Sequence, residues 1–209
     1  MQNVSRRAFL VGAPLALAGC AGDLSLGGGN PSAMYGPMSG ERFRVEPINY
    51  GSIDSQFYRQ EVMFSSTEAP GTIIVDPSKH FLYQVRGNGR AMRYGVGVGR
   101  DGFRWNGQAR IARKADWPNW YPPAEMQLRD RRAAKYAGGM PGGTDNPLGA
   151  RAMYLYQGDK DTLYRIHGTT EPDSIGKSMS SGCIRLLNQD IIDLYNHTPV
   201  GTKVIVRGA

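Results

Sequence analysis

Beyond Gly71 the apolar residues of this chain come in short β-type runs separated by turn residues. Thr72-Ile73-Ile74-Val75 is followed by Asp76-Pro77-Ser78-Lys79, where proline pre-sets φ for a turn, and then by Phe81-Leu82-Tyr83-Gln84-Val85. That pattern predicts a hairpin. Gly87-Asn88-Gly89 makes the next turn, and residues 91–98 alternate as a third strand. Residues 107–114 read as another, with Ile111 inward and Arg110 and Arg113 outward. The stretch 146–156 leads into a strand, Gly158-Asp159 turns, and residues 162–166 return. Ile191, Ile192, Leu194 and Tyr195 then predict a short amphipathic helix over 188–198 with Asn188 as N-cap. Pro199-Val200-Gly201-Thr202 turns into a closing strand at 203–206, and residues 130–136 have room for one or two helical turns. Many short strands, Gly/Pro turns and little helix predict a mainly β domain, an antiparallel sandwich or partly open barrel with one or two short helices.

The remaining stretches are patterned differently. Residues 21–40 are rich in Gly, Ser and Pro without a periodic apolar pattern and read as a flexible tether. Residues 41–70 carry Phe57-Tyr58 and Val62-Met63-Phe64 between Pro47, Gly51 and Pro70, and read as an extension packed partly on the domain. Residues 116–149 are loop-dominated and hold Trp117, Trp120 and the run Gly138-Gly139-Met140-Pro141-Gly142-Gly143. Such an aromatic loop either walls a cleft or caps a sheet. The expected organisation is therefore an export leader at 1–20, a tether and extension at 21–70, and a folded domain at 71–209.

Composition narrows the class. The chain has 209 residues, 40% of them hydrophobic, and no apolar run of membrane-spanning length, which suits one well-buried domain with appendages. At the front, Ser5-Arg6-Arg7-Ala8-Phe9-Leu10 resembles a twin-arginine export motif, and Leu17-Ala18-Gly19-Cys20 resembles a bacterial lipobox. Lipidation at Cys20 would anchor the protein without a transmembrane helix; ordinary cleavage nearby would release a soluble periplasmic protein. Both place it outside the cytoplasm, in the periplasm. The formal net charge is +7, Arg6 and Arg7 of the leader included. That balance suits acidic partners or a merely soluble basic surface, and the compartment argues against nucleic acid.

Cysteine arithmetic changes the picture most. The chain has 2 cysteines, and with Cys20 acylated or removed, Cys183 has no intramolecular partner. An unpaired thiol in an oxidising compartment is a liability unless it is used. Cys183 follows the small-residue turn Ser180-Ser181-Gly182, whose successive backbone N–H groups suit an oxyanion hole, and His167 ends a strand-like run upstream. An imidazole can take the thiol proton and make the nucleophile. Against this stand a small buried cysteine, a satisfied structural histidine, and a zinc site; the last lacks close C-x-x-C or H-x-x-x-H pairs.

The run His167-Gly168-Thr169, Ile175-Gly176-Lys177 and Ser180-Ser181-Gly182-Cys183-Ile184-Arg185-Leu186 resembles the signature of the L,D-transpeptidase catalytic domain family, the YkuD or ErfK/YbiS/YcfS/YnhG type. Trp117-Pro118-Asn119-Trp120-Tyr121-Pro122-Pro123 and the following Met126 resemble another stretch of that family. Ser181 stands where the family often has histidine. The resemblance implies the mixed β-sandwich or partly open barrel of the family and acyl transfer on peptidoglycan stem peptides. Cys183 would be the nucleophile, His167 the general base and acid, and the Gly168 carbonyl would orient the imidazole. The Gly182 and Cys183 N–H groups would hold the oxyanion, while Arg185, Ser180, Ser181 and Thr169 would meet substrate. For Arg185 a structural ion pair remains the alternative. No metal or other cofactor is implied. Carbapenems would be covalent inhibitors. The acyl acceptor stays open among a second stem, an outer-membrane protein and water, as does a catalytically silent wall-binding lipoprotein.

Overall fold

Asn88 and Gly89 both take positive φ, 52° and 67°, as a two-residue hairpin turn requires, and Asn-Gly is the pair that adopts this geometry most readily. The computed structural model around this turn describes residues 25–27, 29–100, 105–180 and 182–208. The leader, Cys20 and Ser181 lie outside them.

The elements of the first half are β1 (Ser25–Gly27), α1 (Pro31–Met34), β2 (Gln60–Met63), β3 (Ile73–Asp76), β4 (Phe81–Gly87), β5 (Arg90–Gly95) and β6 (Val98–Gly99). Then come β7 (Gly107–Asp116), α2 (Ala124–Arg129), α3 (Arg131–Ala134), β8 (Arg151–Gln157), β9 (Lys160–His167), β10 (Ser178–Ser180), β11 (Ile184–Arg185), α4 (Asn188–Asn196) and β12 (Lys203–Val206). Ten strands form one sheet in the order β1-β2-β5-β4-β3-β12-β7-β8-β9-β11, and β10 pairs with β6. The fold is mainly β, as the sequence predicts, but the sheet is mixed rather than wholly antiparallel. β12 runs parallel to β3 and antiparallel to β7, and β11 runs parallel to β9.

β12 joins the front hairpins to the back ones. Val204 and Val206 are buried in one core with Ile73, Leu82, Ile111, Leu155, Ile166 and Leu194, which spans both groups of strands and α4. Burial of a side chain of this size contributes about 1.5–3 kcal/mol. Past β5, Gly97 exchanges both backbone hydrogen bonds with Arg185 of β11, so the chain bridges to the far edge of the sheet. A register shift between Ile111 and Arg113 explains how Arg110 and Arg113, at opposite parity, are both exposed around a buried Ile111.

The N-terminal extension is more ordered than its composition suggests. Residues 31–40 include α1 and Tyr35, which is 1% exposed and packs with Ile53, Ile175 and Leu187. The tether reading of 21–40 therefore fails at 31–40. Tyr35 donates to Asp190 of α4 at 3.3 Å, and Gln189 Nε2 donates to the Tyr35, Gly36 and Glu46 carbonyls. Both Glu41 carboxylate oxygens accept from Arg151 Nη2 at 2.7 Å. The extension holds α4 through its backbone carbonyls and Tyr35 and holds β8 through the Glu41 carboxylate, and hydropathy patterning carries no record of such contacts.

Asn188 is the first residue of α4 rather than its cap. The N-cap is Leu187, without a side-chain bond, and Asn188 Oδ1 accepts instead from Ala150 N at 3.0 Å.

Candidate active site

β9 delivers His167, and β11 lies beside it in parallel register, with Ile184 opposite Ile166 and Arg185 opposite His167. The residue before Ile184 is Cys183, which that register places against Arg165. Side chains two apart on a strand share a face, so Cys183, Arg185 and His167 are brought to one side of the pair. All three line one cavity of about 740 Å³, with Gly182, Tyr164 and Leu163. The pair that the sequence leaves sixteen residues apart is thus joined by strand pairing.

His167 is 4% exposed and hydrogen-bonds through Nδ1 to the Gly168 carbonyl. Nδ1 is then the donor, which leaves Nε2 as the basic nitrogen. Burial lowers the imidazole to about 4, helped by the Arg185 charge and opposed by the bond to Gly168. For Cys183, burial pushes the thiol up, while the Arg165 backbone N–H and the Arg165 and Arg185 charges pull it down. The resting pair is therefore neutral thiol and neutral imidazole. A proton must move to Nε2 as sulfur attacks.

The supports of the pair come from close backbone packing. Gly168 N donates to Arg151 O at 3.0 Å, and a Cβ on Gly168 would collide with Asn188 Oδ1. Gly149, at φ +62°, lies against the same atoms: a Cβ there would sit 2.8 Å from Gly168 C and from Thr169 N. On the thiol side, Gly182 has φ +128°, which a side chain would strain, and its Cα faces the Tyr164 ring. Tyr164 is in turn stacked on Trp105 at 5.1 Å. Leu163, at φ +64° and 75% exposed within β9, accepts from Cys183 Sγ at 3.9 Å. A non-glycine residue with positive φ costs of order 1–3 kcal/mol and tends to occur at functional sites. It falls where register shifts between Tyr154 and Tyr156, a break no sequence pattern signals.

The other predicted residues divide. Arg185 Nη1 pairs with Glu171 at 2.7 Å at the cavity, so the ion pair of the alternative reading is present while the side chain still faces the cleft. Thr169 does not line this cavity. It is buried, and its hydroxyl accepts from Glu171 N at 3.0 Å, shaping the turn after His167. Ser180 ends β10 opposite Gly99, and Ser181 lies outside the described residues. The Trp/Pro loop has both roles: Trp117 is buried against Phe43, Val45 and Ile192, whereas Trp120, Met126 and Tyr136 wall the cavity.

The YkuD family model, described as the L,D-transpeptidase catalytic domain, matches residues 70–206. The chain belongs to that family. Among curated members, "Probable L,D-transpeptidase YbiS" of Escherichia coli strain K12 is 33% identical over 150 residues, 69% of this chain and 47% of that protein. "Probable L,D-transpeptidase ErfK/SrfK" of Salmonella typhimurium strain LT2 is 34% identical over 148 residues, 69% of this chain and 46% of that protein. The chain thus spans about half the length of these relatives. A solved structure from Brucella melitensis, named "Probable carnitine operon oxidoreductase caia", is 49% identical with a TM-score of 0.52, covering 76% of this chain and 99% of that one. The L,D-transpeptidase match begins one residue before the domain boundary expected at 71 and leaves the strap of residues 31–59 outside it.

Proposed function

We propose that the protein is a peptidoglycan L,D-transpeptidase working through a Cys183 thioester. The observation that carries this is the neutral Cys183–His167 pair in one cavity, with Nδ1 of the imidazole held by the Gly168 carbonyl. Sγ attacks the carbonyl that joins the L-centre of a diamino acid to D-Ala in a tetrapeptide stem. The thiol proton passes to Nε2 and then to the departing D-Ala amine as the C–N bond breaks. An acceptor amine next attacks the thioester, gives its proton to His167, and restores the thiol. The Gly182 and Cys183 N–H groups suit stabilisation of the oxyanion in both steps. Arg185 beside the thiol suits a substrate carboxylate, with Glu171 as its resting partner.

The acceptor in this reading is an amine of a second stem peptide or of an outer-membrane protein, and transfer to water uses the same thioester. Carbapenem acylation of Cys183 follows from the same nucleophile. Ser5 to Leu10 and Leu17 to Cys20 support twin-arginine export to the periplasm and lipid anchoring as parts of the proposal. The oxidoreductase wording belongs to the Brucella protein; a cysteine paired with an imidazole base beside a Gly turn favours acyl transfer.

Cys183→Ala should abolish D-Ala release from muropeptide tetrapeptides while the protein stays folded by circular dichroism. Undiminished release would sink the assignment. Mass spectrometry of products with and without added amine then separates transfer from hydrolysis.

A further inference from the structure

Between the pairs Tyr154–Arg165 and Tyr156–Asp161, Leu155 alone on β8 stands opposite Thr162, Leu163 and Tyr164 of β9. A bulge of this kind takes backbone groups out of the ladder and leaves them to other partners. Two side chains of the bulge supply partners for its N–H groups. Asp161 Oδ1 accepts from Leu163 N at 2.8 Å, and Thr162 Oγ1 accepts from Tyr164 N at 3.2 Å while donating to Leu155 O at 2.7 Å. Bonds of this type, to the backbone two residues on, shape turns, and here they accompany the φ of 64° at Leu163.

The bulge supplies both backbone partners of the nucleophile. The Leu163 carbonyl accepts from Cys183 Sγ at 3.9 Å, and the Arg165 N–H donates to the same sulfur. The first suits the thiol and the second the thiolate, so sulfur has a partner in both protonation states. Asp161 ties the two residues to one carboxylate: besides the Leu163 N–H it accepts from Arg165 Nη1 and Nη2, at 2.7 and 2.8 Å. Its own charge opposes ionisation of Cys183, whereas those of Arg165 and Arg185 favour it. What Asp161 contributes to the nucleophile is therefore the placement of groups.

We infer that Asp161 is a positioning residue for the Cys183 thiol, acting through the β9 bulge. It fixes the Leu163 carbonyl and the Arg165 N–H as the two partners of Sγ. As the proton passes from Sγ to His167 Nε2, the bond to the Leu163 carbonyl is given up and the Arg165 N–H holds the sulfur for attack. This role rests on the proposed use of Cys183 as nucleophile.

The test is the pH dependence of Cys183 alkylation by iodoacetamide in the full chain, read at the Cys183 peptide by mass spectrometry. The thiol is half-buried and lines the cavity. The charged groups acting on it are Asp161 and Arg165 of β9 and Arg185 of β11, with His167 lining the same cavity. Asp161→Asn and Asp161→Ala remove the same charge, so electrostatics alone lowers the inflection equally in both. Only Asp161→Asn keeps an oxygen for the Leu163 N–H. The Arg165 bond to thiolate is charge-assisted and outweighs the weak S–H donor bond, so loss of both raises the thiol. Positioning thus puts the inflection of Asp161→Ala above that of Asp161→Asn. Leu163→Val alters no charge and places a β-branched side chain at positive φ, and it should raise the inflection above the native one. In turnover, Asp161→Ala should lower kcat for D-Ala release by about tenfold or more with little change in KM. Coincident profiles for the two Asp161 variants, or a native profile in Leu163→Val, overturn the inference; the second result decides even where Asp161→Ala fails to fold. Alkylation needs no turnover, so a protein that shows the expected profiles but releases no D-Ala would refute the proposed reaction and leave the positioning role standing.

Discussion

His167 and Arg185 face each other across the parallel pair β9–β11, and Leu186 N donates to the His167 carbonyl at 2.8 Å. The guanidinium thus stands in register with the imidazole and helps to hold it neutral. The same contact connects substrate steering to proton transfer.

Replacing Arg185 with methionine removes that like charge and should raise the His167 pKa. The acid limb of Cys183 acylation by a β-lactam would move upward from its position near pH 4. Glu171, 66% exposed on its side chain, stays solvated in the variant. An unchanged acid limb in the pH–rate profile would show the two residues to be electrostatically uncoupled.

Stability should depend on pH through His167. Its folded pKa of about 4 lies below the ordinary 6.5, so the unfolded chain binds the proton more readily. The contribution is fully present above pH 6.5 and is lost as pH falls through 4, by about 3 kcal/mol in all. Asp190 opposes this trend, because burial lifts it to about 7 despite Arg59 at 3.8 Å. Comparing the native protein with His167→Gln isolates the histidine. The stability difference from denaturant melts should move in favour of the variant as pH drops from 6.5 to 4.

Gly149→Ala should damage catalysis by displacing the Gly168 carbonyl from His167. A roughly 10–100-fold fall in kcat/KM is expected, with about 1–3 kcal/mol lost from the fold. Gly143, which has open space where its Cβ would be, is the control. Equal kinetics for the two alanine variants would remove Gly149 from the positioning of the imidazole.

Glu41→Gln should loosen the strap. Arg151 and Glu41 have side chains 8% and 16% exposed, and the pair is charge-assisted at 2.7 Å. The loss should be about 2 kcal/mol, moderated because Asp116 still lies 3.3 Å from Arg151 Nε. Limited proteolysis should then cut within 31–59 sooner than in the native chain while the catalytic domain resists. Identical cleavage rates would show that the pair is dispensable for strapping.

The legible parts were those with local causes. Asn88-Gly89 dictates its own hairpin, and the strand alternation around Ile111 holds despite the bulge that puts both arginines outside. Asn188 misled because N-cap preference is a local rule, whereas the Ala150 N–H opposite it is a tertiary partner. The 31–40 tether misled because a Gly/Ser/Pro composition says nothing of the carbonyls that Gln189 collects there. Trp117 and Trp120 read alike in sequence, and only packing separates the buried ring from the cavity wall.

By itself the sequence determined the β character of residues 71–209, the family, and the identity of His167 and Cys183 as the pair to watch, because turn chemistry, periodicity and motif spacing are local. Only the tertiary structure decided that parallel pairing of β11 with β9 sets Arg185 against His167 and Cys183 on the same face. It also decided that burial keeps the pair neutral and that the register shift between β8 and β9 sets the Leu163 carbonyl against the thiol. Those properties depend on non-local strand register and desolvation, and neither is written in the order of residues along the chain.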